Sequence, residues 1–283
     1  MKNSKKIVGI TVRHLILVLL VAVWLLPILW LVVTSFSAYD GRNTSTFFPS
    51  EWSVHQYTNL LFHADTVANF PAWFKNTFLI ATANCVISSI FVLMVAYAFS
   101  CMRFKGRSLM QNLSVTVNLF PGVLSMIAVY FVLKTFGLTN SHFGLLLVYC
   151  GASGLGYLIA KGFFDTIPRA LLEAAKLDGA SEARCFFTVV VPLSRPIIVY
   201  TVISSFLVPW MDFVFAKMIL NAGVSADWTV AIGLFNMLDR QLINNYFGQF
   251  CAGGVLVSIP ISILFVIMQK FYVEGVTGGA VKG

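Results

Sequence analysis

Five charged side chains, Glu173, Lys176, Asp178, Glu182 and Arg184, fall within twelve positions of a 283-residue chain that is 58% hydrophobic and only 11% charged. The stretch that holds them, EAAKLDGASEARCFFTVVVP (173–192), turns apolar through Phe186 and Phe187 before it ends at Pro192. Charges of both signs beside the small Ala174 and Ala175 suit close approach by another surface. A loop that only separates two membrane helices is the competing reading, as is an amphipathic helix lying on the bilayer surface.

A second residue of chemical interest is Asp212, in FLVPWMDFVFAK. An acid within an apolar segment is expected to face the bundle interior or water. Fifteen residues of helix from an inner end near residue 197 raise it by about 22 Å, into the outer third of a span. A pathway or gate role competes with a buried pair to Lys217 or to another chain's cation, and with snorkelling to the outer surface. Trp210 reads either as an interface anchor or as a wall of the same pathway.

Chemistry of other kinds is missing from the sequence. No G-x-x-x-x-G-K-[ST] phosphate loop occurs, and the apolar segments hold no catalytic triad, carboxylate pair or H-E-x-x-H. CGASGLG (150–156) has the look of a nucleotide loop, but it lies inside an apolar run and follows no strand, so it reads as close helix packing. Cys85, Cys101, Cys150, Cys185 and Cys251 are scattered singly and the four histidines stand apart, which suits neither a disulfide framework nor a metal site. Any uphill work must therefore draw its nucleotide chemistry from another chain.

The elements that must position these residues are membrane helices. Mean hydropathy is +0.85, which excludes an ordinary soluble domain. Six predicted spans cover residues 15–36, 77–100, 109–133, 143–164, 197–220 and 249–272, each near or above the roughly 20 residues that cross a bilayer. The first is too long for a signal h-region and has no A-x-A site after it, so it reads as a retained anchor. With the N-terminus in the cytoplasm, 14 of the 19 Lys and Arg residues lie inside, so the net charge of +8 is a topology signal rather than a nucleic-acid footprint. Both termini and the 173–192 stretch are then cytoplasmic. Pro121 and Pro209 are expected to kink their helices. No tandem or inverted repeat is visible, which weakens a secondary-transporter reading.

The chain divides accordingly into an N-terminus and first anchor helix (1–36), an outside loop (37–75) and a five-helix core (76–275) that carries the loop 165–192. A glycine-rich tail (276–283) closes it. Trp52, Tyr57 and Trp73 in the outside loop suit an interfacial belt, with docking of an external partner as the alternative. Within 165–192, Asp165 or Thr166 is predicted to cap a helix whose first turn accepts Pro168. Ala170, Ala174 and Leu177 form an apolar stripe at i, i+4, i+7, and Gly179 ends the helix. Ser181 caps the next segment, which is expected to climb through Phe186 and Phe187 into the fifth span.

Glu173-Ala174-Ala175, three residues, Gly179, nine residues, then Val189-x-Val191-Pro192 resembles the EAA loop of ABC-importer permeases, EAA-x3-G-x9-I-x-L-P. Val replaces Ile and Leu at two positions, both conservatively, and the spacing is kept. FFPSEWSVHQYTNLL (47–61), WFKNTFLIA (73–81), KGFFDTIP (161–168) and QKFYVEGVTGGAVKG (269–283) extend the likeness over essentially the whole chain. They resemble the six-span second permease of maltose/maltodextrin-type carbohydrate importers.

The resemblance implies an all-α membrane protein of the type I ABC importer fold, in the cytoplasmic membrane of a bacterium. It implies a transport subunit and not an enzyme, paired with a second permease, two ATPase subunits and an external sugar-binding protein. ATP and Mg would be held by the ATPases and no cofactor by this chain. Glu173, Ala174, Ala175, Gly179 and Pro192 would couple to the ATPase, and the tail, through Gly278, Gly279 and Lys282, would reach the ATPase dimer. An oligosaccharide is the expected cargo, and the resemblance implies that its binding site lies mostly on the sibling permease. The competing class is an ion-coupled carrier or channel without ATPase partners, which requires ionisable groups near the midplane where the sequence offers essentially only Asp212. A structural anchor, the third reading, would not need kinked spans.

Overall fold

The computed structural model describes the backbone of residues 2–42, 45–153, 156–220 and 224–280, and side chains within 10–269 of these. In chain order the helices are α1 (Lys2–Ser35), α2 (His55–Phe62), α3 (Phe70–Cys101), α4 (Arg107–Asn118), α5 (Gly122–Thr135), α6 (His142–Ser153) and α7 (Tyr157–Phe164). Then come α8 (Arg169–Leu177), α9 (Glu182–Cys185), α10 (Val191–Leu193), α11 (Arg195–Met211), α12 (Val214–Ile219), α13 (Val230–Asn236) and α14 (Ile243–Ala280). No β-strand forms among the described residues.

Among the described residues, four stretches are long and apolar enough to cross a bilayer: Ile10–Ser35, Phe70–Cys101, His142–Phe164 and Ile243–Gln269. They correspond to four of the six predicted spans. The other two are not straight. The span predicted over 109–133 is α4 and α5, bent by 101°. Pro121 caps α5 in an extended conformation (ψ 120°). A helix cannot run through it easily, because proline lacks the N–H and its ring crowds the preceding turn. The span predicted over 197–220 is α11, which stops at Met211, followed by the short α12. Pro209 lies inside α11 without breaking it. The break falls at Asp212, whose backbone is extended (ψ 112°). A further bend of 89° separates the segment Glu182–Leu193 from α11.

The chain forms two compact units, residues 1–71 with 233–259 and residues 72–232 with 260–283. In the first, Gln56 of α2 is fully buried. Its Nε2 donates to the carbonyls of Ser37 (3.3 Å) and Tyr39 (3.2 Å) and to Asp40 Oδ1 (3.0 Å), which ties the segment after α1 to α2. Asp65, three residues beyond the end of α2, accepts from Tyr246 Oη of α14 at 2.9 Å. Apolar side chains of α1 from Leu15 to Leu29 stay exposed on this chain, as expected of a helix that meets lipid or another protein.

Among the described residues of the second unit, two buried clusters matter here. One joins α5, α6 and α12 through Leu133, Leu145, Tyr149, Phe215 and Ile219. The other packs Leu93, Ala96, Tyr97 and Phe99 of α3 on Tyr157 and Phe164 of α7, on Leu172 of α8 and on Cys185, Phe186 and Val190 beyond it. This second cluster is the platform under the charged loop.

Candidate functional site

The loop's first helix, α8, is built as a clamp with one free face. Its buried contacts come from Leu172 and, half-buried, Ala175. Ala170, Glu173, Ala174 and Leu177 are exposed, Leu177 to 89%. The predicted stripe therefore faces away from the platform. Leu177 and the two alanines before it on the same face thus form a small apolar stripe that the described part of this chain does not cover.

The end of α8 follows from backbone chemistry. Gly179 has φ +81°, a conformation that disfavours a side chain by crowding Cβ against the carbonyl. Its N–H donates to Lys176 O at 3.0 Å, and the Ala180 N–H donates to Ala175 O at 2.9 Å, the paired bonds of a Schellman ending. Ser181 then caps α9, its Oγ accepting from the Arg184 N–H at 3.3 Å. At the start of α8 the expectation fails. Neither Asp165 nor Thr166 caps it; Pro168 occupies the cap position with no side-chain bond.

Asp165 is engaged elsewhere. Its carboxylate accepts from Lys161 Nζ and from Ser100 Oγ of α3, both at 2.6 Å. Burial pushes its pKa up, but these hydrogen bonds and the Lys161 and Arg107 charges outweigh that, and the carboxyl sits below its ordinary value. Beyond α8, Glu182 accepts from Lys176 Nζ at 2.5 Å and from Tyr97 Oη of α3 at 2.7 Å. Arg103, Arg107, Arg169 and Glu173 join Ser100, Lys161, Asp165, Lys176 and Glu182 around a charged cleft of about 580 Å³. Around this loop, sequence reasoning missed Tyr97 and Ser100. The available signal was two hydroxyls at i, i+3 at the end of an apolar run, where they share a helix face.

Between α9 and α10, Phe186–Val190 forms a π-helical turn. Such turns insert one extra residue and locally loosen the helix, and they recur at functional sites. Pro192, the last motif residue, is exposed in α10, two residues before the cap Ser194 that precedes the bend into α11. The motif's two halves thus lie on either side of the turn at Gly179. The second half reaches α11 through a corner rather than by the smooth ascent predicted.

Asp212 stands at the break between α11 and α12. Tyr149 Oη of α6 donates to Oδ2 at 2.7 Å, and the N–H groups of Phe215 and Ala216 donate to the carboxylate at 3.0 and 3.1 Å. The side chain therefore holds the first turn of α12, and it remains half-exposed. Trp210 is buried on Phe74 and Phe206. A cleft of about 280 Å³ runs along this side of α11 past Tyr149, Tyr200, Ser204 and Asn84. At the C-terminal end, α14 continues to Ala280, so Gly278 and Gly279 are helical; Lys282 lies outside the described residues.

Comparison with known proteins agrees with this architecture. Residues 93–278 match the family described as binding-protein-dependent transport system inner membrane component. The chain is 31% identical over 280 residues to the galactooligosaccharides transport system permease protein GanQ of Bacillus subtilis (strain 168), covering 99% of this chain and 98% of that one. It is 33% identical to the maltose/maltodextrin transport system permease protein MalG of Salmonella typhimurium, over 96% of this chain and 95% of that one. The fold is that of a chain in the crystal structure of a bacterial ABC transporter involved in the import of the acidic polysaccharide alginate. There the TM-score is 0.79 with 23% identity, over 95% of this chain and 98% of the other.

Proposed function

Since the chain belongs to the binding-protein-dependent transport system inner membrane component family, we propose that it is the sugar-importer permease whose loop 165–192 receives the ATPase stroke. Membership makes it a membrane transport component that leaves ATP hydrolysis to separate chains, which sets aside the ion-coupled carrier and the structural anchor. Maltodextrin-type oligosaccharides are the proposed cargo, supported by the full-length likeness to MalG and qualified by the equally extensive likeness to GanQ. A second permease completes the pathway, two ATPases holding ATP and Mg drive it, and an external binding protein delivers the sugar. Both termini lie in the cytoplasm, where Gly278, Gly279 and Lys282 reach toward the ATPase.

One observation carries the reading: the face Ala170–Ala174–Leu177 of α8 is exposed while its other face is locked to the platform. ATPase closure grips Glu173 to Gly179 and displaces α8. Ala175 and the second half of the motif, to Pro192, pass the displacement to α11. Two states of the bundle must differ in contact energy with the ATPase for this to count as coupling. Asp212, held by Tyr149 and backed by the buried Trp210, forms part of the pathway's outer gate.

The test is Gly179→Leu in the assembled transporter. No atom lies within 4 Å of a Cβ at this position, so the effect acts through the backbone turn. Hydrolysis continuing without uptake, at normal membrane levels, is the expected result; wild-type uptake would sink the coupling role. Competition between maltodextrins and galacto-oligosaccharides for uptake decides the cargo.

A further inference from the structure

We infer that α3 is a rod that carries the stroke across the membrane, with Tyr97 and Ser100 as positioning residues at its driven end. The inference rests on the reading that an ATPase grips α8. The chain on both sides of α8 is bonded to α3: before it through Asp165 to Ser100 (2.6 Å), after it through Glu182 to Tyr97 (2.7 Å). Lys176, on α8 itself, closes the second link by its 2.5 Å bond to Glu182. Both links are charge-assisted, the stronger kind of hydrogen bond. Displacement of α8 must therefore drag the end of α3 or break these bonds. The Tyr97 ring also packs on Phe186, 5.2 Å between centroids, at the start of the π-helical turn.

The other end of α3 is bonded just as heavily to a different segment. Trp73 Nε1 donates to Ser225 O at 2.7 Å, and Asn76 Nδ2 donates to Ala226 O at 2.7 Å and to Trp228 O at 3.1 Å. Thr77 Oγ1 accepts from the Val230 N–H at 2.8 Å. From Asn76 to Tyr97 the helix rises roughly 32 Å, about the thickness of the hydrocarbon core. Midway, Asn84 Nδ2 donates to the Ser205 carbonyl of α11 at 2.7 Å. One uninterrupted helix thus joins the charged loop to the segment 225–230, whereas the routes through α4–α5 and α9–α11 are bent.

The segment Ser225–Val230 then moves in step with ATP binding, and the motion needs the Tyr97–Glu182 bond. The readout is labelling of an Ala226→Cys variant by a membrane-impermeant maleimide in the complete transporter, with and without ATP and orthovanadate. Ala226 is exposed, and the five native cysteines, buried or half-buried, set the background. Nucleotide is expected to change the labelling rate. Tyr97→Phe, which keeps the ring packing, is expected to reduce that response about tenfold, the loss that follows from one hydrogen bond to a charged group. Glu182→Ala should do the same, and the double variant no more than either alone. Cross-linking from an Ala174→Cys variant to the ATPase separates the two ideas. With that cross-link formed, an undiminished response in Tyr97→Phe, or none in the parent, overturns the rod. A parent transporter that fails to cross-link overturns the gripping of α8 and this inference with it.

Discussion

Gly248 has no room for a methyl group, because a Cβ there would run into the Cδ and Nε2 of Gln56. Gln56 is fully buried and bonded to three oxygens, so it cannot swing aside without orphaning them. Gly248→Ala is therefore expected to destabilise by about 1–3 kcal/mol, read as a lower melting temperature in detergent, while Gly151→Ala, inside α6 with open space around it, should leave it unchanged or raise it. Asp165 permits a pH statement. Its pKa lies below the ordinary 3.8, and a depressed carboxyl stabilises above its unfolded pKa and loses that contribution as pH falls through the folded value. The Lys161–Asp165–Ser100 contact should accordingly stay intact from pH 8 to about 5. Nitroxide or fluorescent labels on the loop should report no transition in that window. Residue roles were legible in the sequence where the chemistry is local. Gly179 and Ser181 could be assigned because their hydrogen bonds close within a few residues. Tyr149 and Tyr97 could not, since each meets its carboxylate across 63 and 85 positions of chain, and no spacing rule reaches that far.

Among the elements, hydropathy and length found all six apolar segments but not how sharply two of them turn, because hydropathy reads composition and is blind to direction. A 101° bend leaves the same apolar residues in the same order. Pro121 marked its break in advance, whereas α11 runs on past Pro209. The helix survives it and breaks three residues later, where Asp212 offers its carboxylate to the N–H groups that open α12. That geometry predicts a graded series. Asp212→Asn keeps an acceptor for one of those N–H groups and for Tyr149, whereas Asp212→Ala leaves all three donors without it and costs about 1 kcal/mol at the cap. Uptake at equal membrane levels should fall in the order wild type, Asn, Ala. If the charge alone mattered, Asn and Ala would be equally impaired.

At the scale of the whole molecule, the cations carry information that the helices do not. Helix length and burial are the same for either orientation in the bilayer. The grouping of 14 of 19 Lys and Arg residues toward one side is the argument for the proposed cytoplasmic N-terminus and cytoplasmic α8. The proposed function depends on that choice, since an ATPase can grip α8 only from the side where ATP is. Sidedness can be read directly at two residues that are open to reagent: Leu177, 89% exposed at the end of α8, and Trp52, 61% exposed in the loop after α1. A Trp52→Cys variant in intact cells should react with a membrane-impermeant maleimide. A Leu177→Cys variant should react only after the membrane is opened, and should be shielded again when the ATPase subunits are bound. Reaction of Leu177→Cys in intact cells would invert the topology and remove the coupling role of the loop, whatever the helices look like.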